Sequence, residues 1–584
     1  MPLHRYDHRY DVVVVGAGGA GLRAALEASR TARTAVVSKL HPTRSATSAA
    51  QAGINAALGN TGALKNSGPV SDGWEQHALD TVTAGDHLVD QAAAELMCRE
   101  APDAVRELER LGVPFSRTAD GLINQRPIGA TRRAAVAGEL TGHHVLQTLY
   151  AQCLRSGVEF FDEFYALDLL FADGSAASGA AGVVAYDLAT GELHTFSAPA
   201  VILATGGCGR MFRTTSNGHA ATGDALALAL RSGFPLQDME FFQFHPTGLY
   251  PLGILVSEAA RAEGALLRGV NGEPFMERYA PAAKELAPTD IVARAIVSEI
   301  REGRGMGQSG DHVGLDLAHL TRERWGSAAA TAADLALTQL GIEAAEAPIP
   351  VRPTAHYAMG GIPTTSGGHV LDRDELPVPG LYAAGEVACM SVHGANRLTA
   401  NALVEAIVFG RRAGTEAAGH ARAAGQPPEP AVEPTAPAAA LLERLRNPSG
   451  SERAAPIRAA LQHAMDEHAS VIRSEDSLAQ AAGQISRLKE RYARVAVGDP
   501  GRSYNTDLTE AIELGFLLDA AEVLVAAAAQ RRESRGAHFR ADHPARDNAL
   551  FLHHSLAHRS PTGDIRIETK AVDVSRFSAT ERKY

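Results

Sequence analysis

Tyr10-Asp11-Val12-Val13-Val14-Val15 runs straight into Gly16-Ala17-Gly18-Gly19-Ala20-Gly21, and this junction decides the fold. The valine run is β-branched and unbroken, as a parallel strand buried on both faces requires. The glycines follow as GxGxxG; Leu22–Ser29 then reads as a helix and Thr34–Val37 as a second strand. Strand, glycine turn, helix, strand is the context in which this pattern marks a dinucleotide site. Gly16 permits the tight turn, Gly18 lets backbone approach a pyrophosphate, and Gly21 lets the helix pack closely on the strand. The helix N-terminus then offers free N–H groups and its positive dipole end to the phosphates. One rule is unmet: the acidic residue expected about 20 residues on, ending the second strand, is replaced by Ser38-Lys39.

The same grammar returns further along. Ala200–Ala204 reads as an apolar strand ended by Thr205-Gly206-Gly207, and Thr222-Gly223-Asp224 opens an apolar helix at Ala225. Gly380-Leu381-Tyr382-Ala383-Ala384 is a third strand, ending in Gly385-Glu386. Strand-then-glycine units on both sides of a long insertion predict one sheet domain built from residues 1–240 and 355–419, with 241–354 inserted as a second domain over it. Residues 420–440 are rich in alanine and proline, including Gln426-Pro427-Pro428-Glu429-Pro430, and read as a linker. Residues 441–534 carry helical periodicity, as in Ile485–Ala496 and Leu508–Ala529, and predict a packed bundle. Residues 535–584 form a small C-terminal unit with a strand-like Asp564–Glu568.

Composition narrows the function classes. The 584 residues suffice for about three to five domain-sized units. Lys+Arg 55 against Asp+Glu 67 leaves a net charge of −12, so no basic excess exists to neutralise a phosphate backbone and no nucleic-acid partner is expected. The four cysteines, Cys98, Cys153, Cys208 and Cys389, stand far apart, which argues against a disulfide framework or an iron–sulfur cluster within the chain. They are expected to be isolated buried thiols. The polar Met1–Tyr10 segment has no signal-like apolar run after it, and no apolar stretch reaches the ~20 residues a bilayer span needs. The chain is therefore expected to be soluble and to meet a membrane only through another subunit.

Taken in order, the motifs resemble one family: the flavoprotein (A) subunit of succinate dehydrogenase and fumarate reductase. They include the glycine fingerprint, Ser38-Lys39-Leu40 with Pro42-Thr43-Arg44-Ser45, Ala204-Thr205-Gly206-Gly207, and Gln243-Phe244-His245-Pro246-Thr247-Gly248. Phe275-Met276-Glu277-Arg278-Tyr279-Ala280-Pro281, His356-Tyr357 with Met359-Gly360-Gly361-Ile362-Pro363, Ser391-Val392-His393-Gly394-Ala395-Asn396-Arg397-Leu398 and Glu533-Ser534-Arg535-Gly536-Ala537-His538 complete the set. The resemblance covers nearly the whole chain, and Ser38-Lys39 is this family's habit.

The resemblance implies an α/β fold: a Rossmann-like FAD-binding domain with an inserted α+β capping domain, then a helical domain and a small C-terminal domain. It implies FAD held by Gly16, Gly18, Gly19, Ala20, Gly21, Ser38, Lys39, Ser45, Ala46, Thr47, Gln51, Gly53, Ala204, Thr205, Gly206, Asp224, Gly385, Glu386, Arg397, Asn401, Ala402 and Leu403. It implies interconversion of succinate and fumarate by hydride transfer at flavin N5. The dianion would be held by His245, His356 and Arg397 with Ser257, where the family usually has threonine, and Glu258; Glu258 and Arg261 resemble a proton-relay pair. Arg397 suits bidentate carboxylate binding. An iron–sulfur subunit would take the electrons, and through it a membrane anchor with a quinone site. That would place the chain in the cytoplasm, peripheral at the inner face of the cytoplasmic membrane.

The chain departs from the family at the chemistry. Covalent members read Arg-Ser-His-Thr, the histidine carrying the flavin; here the segment is Arg44-Ser45-Ala46-Thr47, so FAD is expected to be non-covalent. His41 is nearby but out of register. The family's catalytic arginine lies in Leu-Ala-Gly-Arg-Asp; here Leu286-Ala287-Pro288-Thr289-Asp290 puts Thr289 at that position. A hydroxyl supplies no fixed charge, and the loss is expected to cost about 10²–10⁴ in rate unless another residue such as Lys284 or Arg294 replaces it. Ala52 replaces a glycine near the flavin, Thr399-Ala400-Asn401-Ala402 replaces Gly-Gly-Asn-Ser, and the loop after Gln125-Arg126-Pro127-Ile128-Gly129 is short. These departures leave two alternatives open: a stand-alone FAD oxidase or reductase of the L-aspartate oxidase type or for another dicarboxylate-like substrate, and a non-catalytic flavoprotein paralogue.

Overall fold

The computed structural model of the chain describes residues 5–59, 72–128, 131–426, 433–447 and 449–580. Gly129 and the run Pro427-Pro428-Glu429-Pro430 lie outside them. The valine run forms the strand Val12–Val15, with Val12, Val13 and Val14 wholly buried. It pairs in parallel with Thr34–Ser38 on one side and Ala200–Leu203 on the other. Glu159–Asp162 and Pro377–Ala383 extend the parallel sheet outwards, and His369–Leu371 closes one edge antiparallel. Ala200–Leu203 and Pro377–Ala383 are neighbours in the sheet although the inserted segment separates them in sequence. The helix Gly19–Ala28 follows the first strand and packs along the long helix Asn401–Ala424 at small residues, Ala20 against Gly410 and Ala24 against Gly414. A second sheet, Arg5–Arg9, Leu193–Ser197, Ala180–Asp187 and Phe164–Phe171, lies beside it.

The inserted segment has its own five-stranded sheet, ordered Ile254–Leu255, Phe242–Leu249, Ile349–Ala358, Val313–Asp316 and Leu266–Arg268. The helices Glu258–Ala262, Thr289–Arg301 and Ser327–Leu340 cover it. Two hydrophobic cores result. Phe242, Phe244, Ala355 and Ala358 belong to the large core around the parallel sheet, whereas Leu249 and Val351 belong to the core of the insert. The antiparallel pair Phe242–Leu249 and Ile349–Ala358 therefore passes from one core to the other. Its register is broken between Gln243 and Phe244 and again between His245 and Gly248, so the strand bends where it crosses.

The helix Asn401–Ala424 runs on inside the alanine-rich stretch read as linker, because alanine is the strongest helix former and nothing there breaks the hydrogen-bond ladder. The next helix, Ala436–Arg446, carries Pro437 in its first turn, where a missing N–H costs nothing. Ala454–His468, Glu475–Tyr492 and Thr506–Gln530 complete the bundle; the last is buried on almost every face and is capped by Asn505, whose side chain accepts from Leu508 N at 2.9 Å. The C-terminal unit adds a three-stranded sheet, Leu236–Gln237, His553–Arg559 and Ile565–Ala571. All four cysteines are buried and free. Among the described residues no helix is long and apolar enough to cross a membrane.

Candidate active site

The first half of the site grows from the glycine junction. Gly16 sits at φ +109°, and a Cβ there would lie 2.3 Å from the Ala204 carbonyl oxygen. A Cβ on Gly21 would lie 2.0 Å from the Gly16 carbonyl oxygen, so no larger residue fits this helix against this turn. The helix N-terminus is exposed to the segment that follows the second strand: Gly19 N donates to Thr47 Oγ1 at 2.9 Å, and the buried Ser45 Oγ has no hydrogen-bond partner. A Cβ built on Gly206 meets nothing within 4 Å, which leaves open space beside Ala204-Thr205-Gly206. Free helix N–H groups, an orphaned hydroxyl and a side-chain-free cradle form a donor set that fits a pyrophosphate. The residues present therefore fit FAD.

Glu386 stands beside Gly207. Its Oε1 accepts from Ala358 N at 3.0 Å, a Cβ on Gly207 would run into its carboxylate, and burial pushes its pKa up to about 7. Ser38 donates to the Leu40 carbonyl at 2.6 Å, where an acidic residue would otherwise stand. Lys39 turns away from the glycine turn: its Nζ is 2.9 Å from Asp224 Oδ2, 2.9 Å from Glu513 Oε1 and 2.8 Å from Thr222 Oγ1. Burial works against its charge, but Asp224 and Glu513 hold it ionised above its ordinary value. Lys39 and Asp224 thus tie the FAD-side sheet to the helical bundle. Ala46 is exposed at the start of the short helical turn Ala46–Ala49, while Gln51 and Gly53 follow it. His41 is engaged elsewhere, with Nδ1 2.9 Å from Thr43 Oγ1 and its ring against Tyr150.

The second half lies where the bent strand pair crosses between cores. The His245 and His356 rings meet edge-on at 5.6 Å. Burial first, then His356, Arg261 and Arg397, hold His245 well below its ordinary pKa. Burial and Arg397 push His356 down to about 3, and its Nδ1 lies 2.8 Å from Ser216 Oγ. Both rings are neutral at pH 7. Arg397 is buried, with its guanidinium 4.6 Å above the centre of the Tyr357 ring. Its Nη1 makes one long bond, 3.4 Å to the Leu398 carbonyl, and its Nε has no partner. Ser257 caps the short helix Glu258–Ala262 through Ala259 N at 3.3 Å. Glu258 Oε1 lies 3.6 Å from Arg261 Nη2, and Arg261 Nη1 donates to the Glu285 carbonyl.

The structure gathers His245, Ser257, Glu258, Arg261, His356 and Arg397 from four separate segments. Thr289 is buried at the first turn of Thr289–Arg301, just after the turn Lys284–Leu286 that contains Glu285. Neither neighbouring cation is brought in with it. Lys284 is exposed and pairs with Glu277 at 3.5 Å; Arg294 pairs with Asp290 at 3.3 Å and stacks on Phe539 at 4.8 Å.

Glu405, Asn55, His77 and Thr81 carry no sequence signal of their own, yet they engage residues that the motifs single out. Tyr357 OH lies 3.4 Å from both His393 Nε2 and Glu405 Oε2, and Glu405 is pushed up to about 8 by burial and by Glu386. Asn401 is fully engaged: its Oδ1 accepts from Asn55 Nδ2 at 2.8 Å and faces His77 Nε2 at 3.0 Å, and its Nδ2 donates to Thr81 Oγ1 at 3.0 Å. Ala402 and Leu403 follow it into the long helix.

The FAD binding domain family matches residues 11–403, and the fumarate reductase flavoprotein C-terminal family matches residues 458–584. A succinate dehydrogenase flavoprotein subunit of Rickettsia bellii is 46% identical over 98% of this chain and 96% of its own length. A fumarate reductase flavoprotein subunit of Mycobacterium tuberculosis is 41% identical over 99% of both. Among solved structures, an E. coli quinol fumarate reductase chain superposes with a TM-score of 0.91 at 37% identity, covering 99% of each chain.

Proposed function

The chain belongs to the succinate dehydrogenase/fumarate reductase flavoprotein-subunit family and is an FAD-dependent oxidoreductase of that type, and from this premise we propose which of its residues carry the reaction. The substrate is a small dicarboxylate of the succinate/fumarate class. When bound, FAD supplies the hydride acceptor or donor. One carboxylate lies on Arg397, and the other is oriented by His245, His356 and Ser257 acting as neutral hydrogen-bond groups. Glu258 and Arg261 hold the proton that leaves or joins the neighbouring carbon. FAD is held without a covalent bond, because the Ala46 methyl offers no nucleophile at the linking position. Gly16, Gly18, Gly19, Ala20 and Gly21 with Ser45 and Thr47 hold its pyrophosphate, and Ala204-Thr205-Gly206 and Glu386 line the rest. Electrons pass to an iron–sulfur subunit that seats the chain at the inner face of the cytoplasmic membrane.

The observation that carries this reading is Arg397: a buried cation with one long hydrogen bond and an unpartnered Nε, acting on two histidines held neutral. A buried charge left unpaired is costly, and an anionic ligand removes the cost. Thr289 lowers the rate without removing the grip. The test is dye-coupled turnover of FAD-loaded protein with succinate and with fumarate, set beside L-aspartate with O2, followed by acid precipitation. Turnover of the dicarboxylates with flavin left in the supernatant is expected. Turnover of L-aspartate alone, or flavin retained in the pellet, overturns the corresponding part.

A further inference from the structure

Glu258 also meets Thr399, two positions after Arg397. Thr399 Oγ1 donates to Glu258 Oε2 at 2.9 Å. Among the described residues this is the one hydrogen bond the Glu258 carboxylate accepts, because Arg261 Nη2 stands off at 3.6 Å, beyond hydrogen-bond range. Arg261 is itself drawn the other way, to the Glu285 carbonyl. The position that would offer a second cation, Thr289, holds only a hydroxyl.

Thr399 is also aimed. Its carbonyl accepts from Asn55 Nδ2 at 2.7 Å, and the Ala400 carbonyl accepts from Asn55 N at 3.1 Å. Ala400 is held in the left-handed region at φ +68°, a conformation a non-glycine residue keeps only when its surroundings enforce it. Asn55 is held in turn by Asn401. The loop is therefore rigid on both sides of the hydroxyl. Thr399 remains half-buried while Glu258, Arg261 and Arg397 are buried, so it stands at the open side of the cluster.

We propose that Thr399 is a positioning residue for the proton step: its hydroxyl holds the Glu258 carboxylate by Oε2 and keeps it aimed at the substrate, in a site that has no arginine at 289 to do so. The assignment rests on the reading of Glu258 as part of the dicarboxylate site. The charged groups facing Glu258 are Arg261 on its own helix, Arg397 on the loop, and Glu285 beyond Arg261. All three are unchanged in the variants below.

The experiment compares FAD-loaded wild type, Thr399→Val and Thr399→Ser. The Glu258 carboxylate stretching band in the infrared, identified by its loss in Glu258→Gln, is recorded, and kcat and dicarboxylate Kd are measured on the same samples. Thr399→Val removes the one hydrogen bond the carboxylate accepts among the described residues and is expected to shift that band from its wild-type position. It is expected to lower kcat by about tenfold or more while leaving Kd within about threefold. Thr399→Ser restores both. A band unmoved in Thr399→Val, or a Thr399→Ser variant that behaves as Thr399→Val, overturns the assignment. If wild type turns over neither succinate nor fumarate, the functional reading falls, and the infrared band still decides whether Thr399 holds Glu258.

Discussion

Replacing Arg397 with glutamine should weaken substrate binding severely while leaving the ligand-free protein as stable as before. The two effects have separate physical origins. Arg397 is buried, its Nε has no partner, and its one hydrogen bond is 3.4 Å long, so the folded protein bears the desolvation of a cation with little return. Stacking on Tyr357 at 4.6 Å returns about 1–2 kcal/mol. The two buried carboxyls nearby, Glu386 and Glu405, are held protonated to about pH 7 and about pH 8, so at or below neutrality they add little countercharge. Binding is different, because the two histidines are neutral and Arg261 is already opposed by Glu258. Among the described residues Arg397 then makes no ion pair with a carboxylate, although Glu258 also faces it. Truncating one member of a buried charge pair costs about 2–5 kcal/mol, which converts to roughly 30- to 5000-fold in Kd. Dicarboxylate titration of FAD-loaded Arg397→Gln, read from the flavin absorbance, gives Kd; urea unfolding without ligand gives stability. A Kd within threefold of wild type, or a stability loss above about 2 kcal/mol, refutes the reasoning.

Gly21→Ala places a methyl 2.0 Å from the Gly16 carbonyl, so the helix must move off the turn; FAD affinity should fall at least about tenfold, beyond the ~1–3 kcal/mol of overpacking that unfolding reports. Lys39→Met leaves Asp224 and Glu513 buried without their cation and should destabilise the protein by about 3–5 kcal/mol in urea unfolding, with Lys39→Met/Glu513→Gln recovering part of the loss. Glu405 should contribute stability that falls as pH rises from about 4.5 to about 8, because an unfolded Glu405 ionises near 4.5 while burial holds the folded carboxyl protonated to about 8. In that window native Glu405 keeps a proton that the unfolded chain has lost, so Glu405→Gln should make stability fall less, or rise more, with pH than in wild type; an unchanged pH slope contradicts the assignment.

The sheet and its dinucleotide turn are legible because their causes are local. A β-branched run, a glycine that alone fits at φ +109°, and an apolar helix report themselves within a few residues of one another. The bundle is legible from periodicity in the same way. The stretch around 420–440 reads differently in sequence and in structure because alanine and proline together suggest a linker, whereas alanine without an interior proline extends a helix to Ala424. Lys39 carries a motif's position in sequence, but its partner Glu513 lies hundreds of residues away, and no local pattern announces that pair. The same holds for Arg397 on Tyr357, for Glu258 with Thr399, and for the Asn55–Asn401–His77 network. These contacts depend on where the bent strand pair crosses between two cores, and only the assembled chain sets that.

The most direct test of the account is the pair of rates for succinate oxidation and fumarate reduction by FAD-loaded wild type and Thr289→Arg. In the proposed function the site grips a dicarboxylate and lacks one cation at the reacting carbon. Thr289→Arg should then raise kcat by about 10²–10⁴ in at least one direction, with substrate Kd changing far less. A variant with no gain over a slow wild type would contradict it, and so would a gain that appears in Kd alone.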